Sequence, residues 1–204
     1  MARTAAQNQQ RRDDRRERIL ATAARCFATR GLAATKVADL AAAAGMSQGL
    51  LYHYFSSKED IYVEIIRRAF ERMNLAAHGL ERLPLSPRGK VERMIAELLR
   101  SLDRSDDFAW SSTLISLASV SEAVPDEAKA LIRRKRKVPY EVLARIIRAG
   151  QKTGGFRTHR ADELALAFWT MVKGLALHRA ALGRAYKSPS PAVLTSIFFA
   201  EDPS

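Results

Sequence analysis

The sequence predicts an all-α protein of about nine helices, on three observations. It is rich in Ala, Leu, Arg and Glu, which favour helix. Its apolar residues recur at helical spacing. No sustained stretch alternates β-branched and aromatic residues with polar ones, as a half-buried strand would.

The first helix is expected from about Asp13 to Arg30, where Ile19, Ala23, Cys26, Phe27 and Arg30 fall near helical spacing and Gly31 supplies a stop. Thr35 suits the N-cap of a second helix, whose Val37, Leu40, Ala41 and Ala44 follow the amphipathic pattern up to Gly45. Ser47 caps a short third helix, about Gln48 to Tyr54, and Ser56 or Ser57 caps a fourth beginning near Lys58. On the fourth, Tyr62, Ile66, Ala69 and Met73 share a face, and the helix continues to Leu83 before Pro84 breaks it.

Ser86 and Pro87 open a fifth helix that reaches about Leu102, since proline is favoured in a first turn. A sixth occupies roughly Asp107 to Glu122, with Trp110, Leu114, Leu117 and Ala118 aligned. Pro125 opens a seventh segment reaching about Gln151. Within it Pro139 removes a backbone donor and predicts a kink or break near Lys137. After the Gly154 and Gly155 turn, an eighth helix from about Ala161 to Leu182 carries Leu164, Phe168, Met171, Val172 and Leu175 on one side. Leu166, Trp169 and Leu177 lie on another, so it is apolar on too many faces for a surface helix. Ser188 to Pro191 reads as a linker and Pro191 to Phe199 as a last short helix.

The 204 residues suffice for a small reading module and a larger helical body. No run has the apolar length of a membrane span, and Met1 to Gln10 is polar where a signal peptide would be apolar, which places the expectation in the cytoplasm. The single cysteine, Cys26, can form no internal disulfide and reads as a small core hydrophobe. Lys and Arg outnumber Asp and Glu by 34 to 22, a net charge of +12, which suggests a polyanionic partner. Residues 1–36 hold nine basic groups against three acids, half of that net charge. Arg11 to Arg18 suit either an arm tracking a DNA groove or a solvated face laced with Asp13, Asp14 and Glu17.

The most informative segment is Thr35 to Lys58, TKVADLAAAAGMSQGLLYHYFSSK. Two short helices joined by a three-residue turn have the geometry that seats one helix in a major groove. Small residues at Ala41 to Ala44 let the helices cross closely, and Gly45 can take the left-handed conformation between them. Met46, Leu51 and Phe55 are spaced to face inward, which leaves Gln48, Gly49, Leu50, Tyr52 and His53 outward.

This segment resembles the N-terminal motif of the TetR family: a capped helix, Ala-Gly-apolar-Ser, a short recognition helix ending Tyr-His-Tyr-Phe, then Ser-Lys-Glu. The upstream ILATAARCFATRGLAATKV resembles the family's first helix, and the likeness covers roughly residues 15–65. It implies an arm over 1–14, a three-helix helix-turn-helix DNA-binding domain over 15–60, and an effector-binding and dimerisation domain over 61–204. Thr35, Ser47, Tyr52 and Lys58 are expected at DNA phosphates, favoured where helix N-termini attract anions, and Lys36 is expected at the DNA beside them. Gln48 suits an adenine edge, Gly49 close approach, Leu50 either a thymine methyl or the small core, and His53 either base or phosphate.

The resemblance further implies a homodimer joined by a four-helix interface, for which Met171, Gly174, Leu175 and His178 on the eighth helix are candidates. It also implies a small-molecule effector held in the helical body. Met73, Phe108, Trp110, Leu114, Tyr140 and Trp169 are the large, polarizable groups expected to line its pocket. The five consecutive basic residues Arg133 to Lys137 read first as a solvated face, and second as a site for an acidic effector or a further DNA contact.

The expected function is a DNA-binding transcriptional repressor released from a palindromic operator by its effector. An enzyme is disfavoured, since His53, His78, His159 and His178 fall in no H-E-x-x-H motif, and neither G-x-S-x-G nor a phosphate-cradling glycine loop occurs. No cofactor or metal is expected. The rival reading is a nonspecific DNA-binding or chromosome-organising protein that uses the basic charge alone.

Overall fold

Helix α1 runs from Ala5 to Arg30 in the computed structural model, which describes residues 5–199. It starts before the expected Asp13 because nothing from Ala5 onward breaks a helix. The amide of Gln9 donates to Asp13 at 3.0 Å and that of Gln10 to Asp14 at 2.9 Å, pairs that brace the exposed turns. The basic arm expected over 1–14 is therefore, across its described part, a helical extension; Arg3 lies outside the described residues.

Helix α2 is Val37–Ala43, α3 is Gln48–Tyr52 and α4 is Lys58–Arg82. Gly45 turns the chain between α2 and α3 at φ +69, where a β-carbon would be strained. Ser47 caps α3 by accepting from the Leu50 N–H at 3.2 Å, and Ser57 caps α4 by accepting from the Asp60 N–H at 3.0 Å. Ile19, Ala23, Phe27, Leu40, Leu51 and Ile61 close the core of this head and are essentially buried. Each large side chain among them contributes about 1.5–3 kcal/mol by leaving water.

Helices α5 (Pro87–Arg104), α6 (Asp106–Ala118), α7 (Asp126–Lys135), α8 (Lys137–Thr153) and α9 (Ala161–Leu182) make the body. A single 3-10 turn over Gly183–Ala185 and α10 (Pro191–Thr195) close it. Helices α3, α6 and α10 stop short of the expected Tyr54, Glu122 and Phe199, each in a turn. Phe199 instead bridges Phe156, and the Arg157 N–H donates to the Phe198 carbonyl at 2.8 Å. Phe198 and Phe199 are thereby pinned to the turn before α9.

Pro139 breaks the seventh segment at Arg136, as the sequence predicts. Because Pro139 has no N–H, the Lys135 carbonyl four residues back loses its helical partner. The Asn74 amide of α4 reaches that carbonyl at 3.4 Å, a long contact that joins the break to α4.

Two buried clusters result. The first takes α1 to α4 together with Leu114 and Ala118 of α6 and Leu131 and Ile132 of α7, so packing is continuous across residue 60. The second joins α5, α8, α9 and the C-terminal Phe198 and Phe199. Met73, midway along α4, touches both.

Candidate functional site

The head presents α3 on its surface. Ser47, Gln48, Gly49, Tyr52 and His53 are exposed, while Leu51 and Phe55 point into the core and Met46 and Tyr54 pack partly against it. Leu50 is half-buried and sits between the two sets. A β-carbon built at Gly49 would meet nothing within 4 Å, so nothing within the fold calls for glycine there. The Ser47 hydroxyl accepts from Leu50 and keeps its own proton free to donate outward. Lys36 is exposed at the N-cap of α2.

Two expected phosphate contacts are turned inward. Thr35 is fully buried and is not the cap of α2; its hydroxyl donates to the Gly31 carbonyl at 2.7 Å. Lys58 donates to the carbonyls of Leu32, Ala33 and Thr35 at 2.9, 3.1 and 3.0 Å, which commits its three ammonium protons to the loop between α1 and α2. Both residues brace the head from within, a role that motif position alone does not disclose.

The head is tied to the body through Glu64 of α4, whose side chain is only 13% exposed. Its carboxylate accepts from Arg16 of α1 at 3.0 Å, and from Arg67 and Arg68 at 3.0 and 2.8 Å. Arg67 continues to Glu127 of α7 at 2.8 Å. Burial, then the neighbouring Arg16, lowers the Arg68 pKa from its ordinary value. Close to Glu64 on the same helix, burial against Phe27 raises the Tyr62 phenol to about 12, the two rings lying 5.4 Å apart. Toward the far end of α4, Glu81 receives Arg145 of α8 at 2.6 and 3.0 Å, and this hydrogen bonding holds the carboxyl below its ordinary value.

A cavity of about 1480 Å³ opens among α4 to α9. Met73, Phe108, Tyr140 and Trp169 line it, with the Tyr140 and Trp169 rings 6.0 Å apart. Trp110 and Leu114 do not. Leu114 is buried in the head-side cluster, and Trp110 faces α1, where the Arg25 guanidinium lies 5.9 Å over its ring. Those two share a helix with Phe108 but point to its opposite side. The lining also includes Met94 and Leu98 of α5, two apolar positions that the sequence analysis did not single out.

On α9, Gly174 and His178 are exposed, whereas Met171 and Leu175 are half-buried against the second cluster. The exposed face is instead completed by Leu166 and Leu177, each 57% exposed, with Ala167 and Thr170 between. It is a stripe of mostly apolar and small side chains that also carries the exposed Lys173, and its Leu166 and Lys173 border the cavity as well. No described helix is long and apolar enough to cross a membrane, and the described residues hold no cluster suited to a metal.

A family model described as bacterial regulatory proteins, tetR family, matches residues 19–65. The chain is 32% identical over 154 residues to the HTH-type transcriptional repressor KstR2 of Rhodococcus jostii (strain RHA1), across 76% of this chain and 74% of that one. The TetR family transcriptional regulator PfmR from Thermus thermophilus superposes with a TM-score of 0.65 and 26% identity, covering 86% of this chain and 96% of its own. The MbdR regulator from Azoarcus sp. CIB shares the fold at a TM-score of 0.75 and 21% identity, over 89% of this chain and 95% of its own.

Proposed function

The chain belongs to the TetR family of bacterial regulatory proteins, and from that premise we propose that it is a homodimeric repressor released from a palindromic operator by a ligand of its body cavity. The observation that carries the DNA reading is α3 itself: a short helix, capped by Ser47 and braced by Leu51 beneath, with Gln48, Gly49, Tyr52 and His53 free on its outer side. Gln48 is the base reader. Gly49 lets the helix lie close to the base edges, and Lys36, Ser47 and Tyr52 hold phosphates. Leu50 contacts a thymine methyl from its half-buried seat, and His53 meets the adjoining backbone.

One head reaches one half-site, so two heads are needed about 34–36 Å apart. The apolar stripe of α9, centred on Leu166, Gly174, Leu177 and His178 with Met171 and Leu175 flanking, is the surface that joins the subunits. The division of labour places DNA binding in residues 15–60 and dimerisation and ligand binding in 61–204. Such a regulator works in the cytoplasm, beside the chromosome, and catalyses nothing.

Helix α4 links the two tasks. At its start Lys58 holds the α1–α2 loop; some fifteen residues and roughly 22 Å along, Met73 borders the cavity. A ligand preferring one position of α4 shifts the population of head spacings by its differential affinity alone. Selection of bound genomic fragments followed by footprinting tests this reading. Two protected patches one helical turn apart on one face of the duplex support it, and uniform protection of every fragment supports the nonspecific alternative instead.

A further inference from the structure

The cavity walls are mostly apolar, but their charged groups are unbalanced. Eight basic side chains border it against four acidic ones. Two of the acids are already engaged, Glu97 by Arg93 and Arg100, and Asp162 by Arg148. Five cations at the rim, Arg72, Arg104, Arg136, Lys137 and Lys173, form no ion pair among the described residues.

Three of these five are placed about Tyr140. Arg136 and Lys137 begin α8 just after the break forced by Pro139, and Tyr140 lies one turn along the same face. From α9, the Lys173 ammonium lies 5.6 Å over the Tyr140 ring. Trp169 backs the group, its indole N–H already donated to the Pro139 carbonyl at 3.2 Å, so it offers the cavity an apolar face and no further donor. Glu141, one turn after Lys137 on α8, and Asp107 at the start of α6 are the two lining carboxylates with no ion pair among the described residues.

We infer that the cavity takes a bulky amphipathic anion: an apolar body against Met73, Phe108 and Trp169, and a carboxylate or phosphate head group between Arg136, Lys137 and Lys173. This rests on the ligand-binding reading above and names the chemical class of its ligand. The volume, about 1480 Å³, exceeds the roughly 300–1,000 Å³ of ordinary small-molecule pockets, so a large apolar body fits. Cations without protein partners stay hydrated until an anion replaces that water, and guanidinium and ammonium together suit oxyanions. A cationic amphiphile would instead set its charge against three like charges.

The test uses four probes below their micellar or solubility limits: dodecanoate, dodecyl phosphate, dodecanol and dodecyltrimethylammonium. Binding is read by the emission of Trp169 in a Trp110→Phe background and by calorimetry. Either or both anions should bind tighter than dodecanol, and the cation weaker; comparing the two anions identifies the preferred head group. Arg136→Gln with Lys137→Gln, at exposed positions, should weaken the anions at least about tenfold, leave dodecanol affinity and ligand-free DNA binding unchanged, and leave thermal unfolding unmoved. Equal or tighter binding of the cation, no binding of either anion, or anion affinity indifferent to the double substitution would each overturn the inference. Anions that bind without releasing DNA would count against the effector reading alone. Release of DNA by another ligand class would spare that reading and remove this inference.

Discussion

The Lys58 ammonium lies 2.9 Å from the Leu32 carbonyl oxygen, so the first residue of α4 holds the loop that leads into α2. With two more carbonyls at 3.1 and 3.0 Å, this cation works inside the head. Lys58→Ala should cost about 1–3 kcal/mol of stability by leaving those bonds unmade. The salt slope of DNA binding should stay nearly unchanged. A slope lower by about one, with unaltered unfolding, would return Lys58 to the phosphate contacts.

Gly49 separates fold from function. Its β-carbon position is open, and alanine is the better helix former by about 1 kcal/mol, so Gly49→Ala should leave the free protein as stable or slightly more so. Operator affinity should fall, because the added methyl stands between α3 and the base edges. Chemical denaturation paired with DNA titration checks both halves. Undiminished affinity would mean that α3 does not approach the groove closely.

Tyr62 predicts an alkaline limit. Its folded pKa, about 12, lies above the ordinary phenol value near 10, so the folded chain keeps a proton that the unfolded chain loses in between. That contribution is complete below about pH 10 and is lost as pH rises towards about 12. Tyr62→Phe should therefore show a shallower decline of stability over that window, by at most about 1.4 kcal/mol per pH unit. Parallel curves for both proteins would contradict the assignment.

Leu166 and Leu177 test the subunit interface. Glutamate at both should cost the isolated fold little, since each side chain is more than half exposed, yet it should convert the dimer to monomer in sedimentation. Operator affinity should fall with dimerisation. A dimer that survives both charges would move the interface off this face of α9.

Most of the fold is legible in the sequence because its signals are local. Gly31, Gly45, Pro84, Pro87 and Pro139 stop, start or break helices by their own backbone chemistry, and Ser47 and Ser57 cap by reaching three residues on. The start of α1 is less legible, since its polar early turns carry no apolar stripe and stand on propensity and the Gln9–Asp13 and Gln10–Asp14 pairs. The outward face of α3 follows from the inward spacing of Leu51 and Phe55. That Thr35 and Lys58 turn inward is not legible, because their partners are carbonyls whose positions depend on a loop fold. Trp110 and Phe108 are likewise both large aromatics on α6, and only packing decides which meets the cavity and which meets Arg25.

The most direct measurement is a competition titration at fixed salt, of the intact protein and of Gln48→Ala, against a selected operator, its single-base variants and random duplex. The account predicts an operator preference of about a thousandfold or more for the intact protein. For Gln48→Ala it predicts a loss confined to one base pair in each half-site, with random duplex bound as before. Equal loss on operator and random DNA, or no preference to begin with, would contradict it.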